Sequence, residues 1–87
     1  MKLVTFVAEN EVQQIGALME EEQTIGVLQI GAVAMDGVPS PFFMDMLSYL
    51  RGGNEARDKA LAVMKYIAGH SPPNSRVDRE RVKLLAP

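Results

Sequence analysis

The chain of 87 residues has room for one small domain, spanning 1–87, and no more. Nine Lys plus Arg against eleven Asp plus Glu give a formal charge of -2, which excludes the clustered cationic excess that a phosphate backbone demands. Without Cys there are no disulfides or thiolate metal sites, and 47% hydrophobic with 23% charged residues places the chain among folded sequences, not disordered ones.

In chain order, Leu3 to Val7 is β-branched and aromatic and reads as a strand. Its apolar run is too short for a signal-peptide core, and Glu9 ends it. Gln14 to Met19 reads as a second strand and Thr24 to Ile30 as a third, joined by the polar turn Glu20 to Gln23. Gly31, Gly37 and Pro39 make residues 31–40 a loop. Ser40-Pro41 then starts a helix, the serine capping free amides and the proline losing no hydrogen bond. Phe42, Phe43, Met46, Leu47 and Leu50 give that helix an apolar stripe, and Gly52-Gly53 stops it.

Asn54 caps a second helix, closed by Gly69, with Ala60, Leu61, Met64, Ile67 and Ala68 inward and Glu55 paired with Lys59 outward. Residues 70–75, with Pro72-Pro73, form a loop. A charged stretch from Asp78 to Arg81 leads into a last strand, Val82 to Leu85. The order β-β-β-α-α-β defines an α+β class: a small, mainly antiparallel sheet with two helices packed on one face. No stretch approaches the roughly 20 apolar residues that span a bilayer, so a cytoplasmic location is expected.

Residues able to do chemistry are few. His70 is the one histidine, with no histidine or cysteine partner and prolines close behind it, and reads as a solvated loop residue. Glu20, Glu21 and Glu22 point apart at a turn tip and read as solvated charge. The glycines match neither a dinucleotide fingerprint nor a phosphate loop. Arg76, Arg79, Arg81 and Lys83 are interleaved with Asp78 and Glu80, a solvated pattern. Catalytic, cofactor-binding and metal-binding residues are therefore none. Met44 and Tyr49 fall off the inner stripe and, with Phe42, mark a partner or interdomain surface.

Five ordered segments carry a resemblance: Met1-Lys2-Leu3-Val4-Thr5-Phe6, Ile15-Gly16-Ala17-Leu18, Val27-Leu28-Gln29-Ile30, Met46-Leu47-Ser48-Tyr49-Leu50-Arg51-Gly52-Gly53 and Val82-Lys83-Leu84-Leu85-Ala86-Pro87. Together they resemble the N-terminal domain of the fumarylacetoacetate hydrolase family, bacterial-type branch, over nearly the whole chain. Gln29 departs from the Asp common there.

The resemblance implies a non-catalytic first domain whose closing segment leads into a catalytic domain absent from this chain. That second domain would use Mg2+ or Mn2+, held by a Glu-x-Glu pair and a later Asp, to hydrolyse, decarboxylate or isomerise acylpyruvates or related 2-oxo acids. Glu20 and Glu22 share the x-separated spacing but stand in the wrong segment, so no ligand is carried over. Expected partners are that catalytic domain and further copies in a homo-oligomer, with no nucleic acid and no membrane. The rival expectation is a free-standing interaction module that presents a sheet edge or the Phe42–Tyr49 helix. A small enzyme complete in 87 residues is disfavoured, because no nucleophile, base and orienting group come together.

Overall fold

The computed structural model describes residues 2–7, 12–19 and 23–85. Strands β1 (Leu3–Val7), β2 (Gln13–Leu18) and β3 (Thr24–Val27) are followed by helix α1 (Leu28–Asp36) and a 3-10 turn at Pro41–Phe43. Helix α2 (Met46–His70), β4 (Arg76–Asp78), a second 3-10 turn at Arg79–Arg81 and β5 (Lys83–Leu85) complete the chain order. The strands form one sheet in the order β4-β3-β2-β1-β5, with every pair antiparallel. The class is α+β, with one strand more than the sequence pattern shows.

The registers sort the apolar strand residues into two faces. Leu3 and Ile15 face the helices and, with Met19, pack among Leu28 and Ala32 of α1 and Ala56, Ala60, Val63 and Ile67 of α2. The other face carries a second core of Phe6, Ile25 and Val27, all buried. Val77 of β4 and Leu84 of β5 stand at opposite edges of the sheet, yet both pack against this trio. Val77 does so beside its strand partner Ile25, and Leu84 beside its partner Phe6. The full burial of the trio on the face away from the helix-side core, together with the short link between β4 and β5, means that the sheet is rolled with these three on its inner side.

The connection between the edges requires this curl. In a flat sheet β4 and β5 would lie four strand spacings apart, about 19 Å. Their registers separate them further. Asp78 pairs with Thr24, level with Met19, whereas Lys83 pairs with Val7, level with Gln13. Five Cα steps join Asp78 to Lys83, which reach about 18 Å at full extension. Three of the intervening residues, Arg79–Arg81, are wound as a 3-10 turn, advancing only about 2 Å each.

The helical half departs from the sequence pattern in several places. The strand expected over Thr24 to Ile30 stops at Val27, and Leu28 opens α1, which runs through most of the expected loop to Asp36. Residues 28–35 form an apolar run whose periodicity serves strand and helix alike. Tertiary contact decides it, since Leu28, Gly31 and Ala32 are buried at helical spacing. A Cβ on Gly31 would lie 2.6 Å from Cγ1 of Val63, so the close crossing of α1 and α2 needs a glycine there. Gly37, at φ 82°, ends the helix.

Helix α2 does not stop at Gly52-Gly53. It continues to His70 across a kink at Gly53 (φ 57°, ψ -134°), so the two expected helices are two arms of one element. The inner stripe of the second arm is Ala56, Ala60, Val63 and Ile67, while Leu61 and Ala68 face solvent. Lys59 forms an ion pair with Asp36 at the end of α1 instead of the expected pair with Glu55. Ser71, at φ 45°, closes the helix, and the Arg76 guanidinium donates to the Ile67 carbonyl and the Ser71 hydroxyl. The turn expected at Glu20 to Glu22 lies outside the described residues.

Gly53 and Gly69 isolate backbone conformation from packing, because a Cβ at either position meets nothing within 4 Å. Gly53→Ala is expected to cost roughly 1–3 kcal/mol, since alanine is strained at that φ and ψ. Gly69→Ala, in helical backbone, should gain roughly 0.5–1 kcal/mol. Urea denaturation measures both, and equal effects would contradict the kink.

Candidate functional site

The residues singled out as a surface lie where the chain enters α2. Gln29, in the first turn of α1, clasps Ser40 at both ends of its side-chain amide. The Ser40 N–H donates to Gln29 Oε1 at 2.7 Å, and Gln29 Nε2 donates to the Ser40 carbonyl at 2.9 Å. The Ser40 hydroxyl accepts from the Phe42 N–H at 3.2 Å, capping the short turn in which Pro41 takes the first place. Ser-Pro thus begins a 3-10 turn and not the α-helix. The α-helix begins only after Asp45, whose carboxylate accepts the Ser48 N–H at 2.7 Å. That hydrogen bond, with the Ser48 side chain and the Arg51 charge adding to it, holds the Asp45 carboxyl below the ordinary carboxylate range.

This two-step entry sets what faces outward. Met44, Leu47 and Leu50 are 64%, 56% and 66% exposed and form an apolar ridge. Gln29 Nε2 also reaches Met44 Sδ at 3.5 Å, so the clasp helps to place the ridge's first member. Beside the ridge runs a groove of about 320 Å³ between the start of α2 and the sheet. Ile15, Met46, Leu47 and Leu85 give it an apolar lining, and Thr5, Gln13, Gln14 and Asp45 a polar one. The helix N-terminus here is already satisfied by the Asp45 carboxylate, so it is not an anion site.

Of the three residues expected to mark a surface, Met44 is exposed, Phe42 is half-buried against the helix-side core, and Tyr49 belongs to that core at 8% exposure. Tyr49 is corrected for a geometric reason. The 3-10 turn and two bent residues separate Phe42 and Phe43 from Met46, so the stripe counted from Pro41 loses its phase at α2. Tyr49, three residues after Met46, points inward, and Leu47 and Leu50, assigned inward by the sequence pattern, point outward. Exposed Val12, Val33 and Val38 lie outside α2, and exposed Leu61 lies on its second arm, beyond the kink at Gly53.

His70 is exposed in the last turn of α2, its ring stacked on Tyr66 at 4.2 Å between centroids. Among the described residues, no three Asp, Glu or His side chains gather to hold a metal ion. Among them, too, no helix is long and apolar enough to cross a membrane. No family model matches the chain, and neither a curated protein nor a solved structure matches it at a significant level.

Replacing Gln29 by Leu should cost about 2 kcal/mol, because the Ser40 peptide groups, in a residue only 6% exposed, lose their partners. Hydrogen exchange at the Ser40 amide should quicken with it, and an unchanged rate would argue against the clasp.

The Asp45 cap carries its own pH dependence. A carboxyl lowered on folding stabilises fully above its unfolded value, about 3.9, and that contribution fades as pH falls through the lower folded value. Asp45→Asn keeps a capping oxygen and removes the titration. The stability difference between wild type and this variant should therefore be constant above about pH 5 and change only below about pH 4. A difference that varies near neutral pH would contradict the assignment.

Proposed function

We propose that this chain is the non-catalytic N-terminal domain of a fumarylacetoacetate hydrolase-like enzyme. Its role is to pack against a catalytic domain and to support the oligomer, in a cytoplasmic protein. Divalent-metal chemistry on an acylpyruvate or related 2-oxo acid belongs to the catalytic domain and not to these residues. Two things support the reading. The ordered segments from Met1 to Pro87 resemble that family's first domain. The observation that carries it is the exposed ridge of Met44, Leu47 and Leu50, which continues into an apolar groove at Leu85. A domain with its own closed cores has no packing use for three large apolar side chains in contact with water.

The reading frame beyond codon 87 tests this directly. The proposal expects it to continue into a domain bearing a Glu-x-Glu pair, whereas a stop codon would overturn it in favour of a separate interaction module. The purified chain, given Mg2+ or Mn2+ and an acylpyruvate, should show no turnover. It should also associate at high concentration through the ridge. Leu50→Glu should reduce that association in light scattering while changing stability by no more than about 0.5 kcal/mol, the usual range for an exposed site. Wild type that stays monomeric throughout would count against the docking role.

A further inference from the structure

We draw no further inference here: the strongest candidate, the apolar ridge of Met44, Leu47 and Leu50 with its groove at the start of α2, belongs to the surface already described, and nothing in the structure shows what covers it.

Discussion

The fold depends on one constraint: a small sheet with apolar residues on both faces must keep both faces dry. Antiparallel sheets commonly leave one face to solvent, and their strands then alternate apolar with polar. Here β1 reads Leu3-Val4-Thr5-Phe6-Val7, with large apolar side chains in both phases. Two helices can cover only one side. The other is buried by rolling the sheet, so that Val77 and Leu84, from opposite edges, meet the same core as Phe6, Ile25 and Val27. The short link through Arg79–Arg81 enforces the curl covalently, because it is too short to join the edges of a flat sheet.

This division of labour explains what is left on the surface. The helix-side core is completed by the second arm of α2, whose small residues Ala56 and Ala60 allow close approach, and by Tyr49 and Phe43 from the entry region. With those positions filled, Met44, Leu47 and Leu50 have no place inside. The entry is fixed by hydrogen bonds more than by packing: Gln29 holds Ser40, Ser40 caps the 3-10 turn, and Asp45 caps α2. The outward direction of the ridge is therefore built into the polar connections of the chain.

What could be read from the sequence was local. β1 is legible because β-branched and aromatic residues dominate it, and β2 as the short apolar run Ile15 to Leu18. The Ser40-Pro41 cap is legible too, although it opens a 3-10 turn and not the expected helix. The start of α1 is not, since Leu28 to Met35 is apolar at almost every position and only the crossing at Gly31 selects a helix. β4 is hidden because Arg76-Val77-Asp78 carries one apolar residue, and its pairing with β3 is a long-range event. The surface was half legible. Met44 stands out by its position, but Tyr49 and Leu50 exchange roles because the bend at residues 44–45 resets the helical phase. Gln29 gave no sign, as a clasp across eleven residues leaves no pattern in the sequence.

The central claim is that both sheet faces are sealed by the chain itself while the ridge at the start of α2 is open. Relaxation of methyl signals by a soluble paramagnetic probe, at concentrations low enough to keep the chain monomeric, measures this most directly. The methyls of Met44, Leu47 and Leu50 should relax strongly, and those of Ile15, Ile25, Val27, Val63 and Ile67 should be protected. Strong relaxation of Ile25 and Val27 would mean an open, flat sheet, and protection of Leu47 and Leu50 would mean that the domain covers its own ridge; either result contradicts the account.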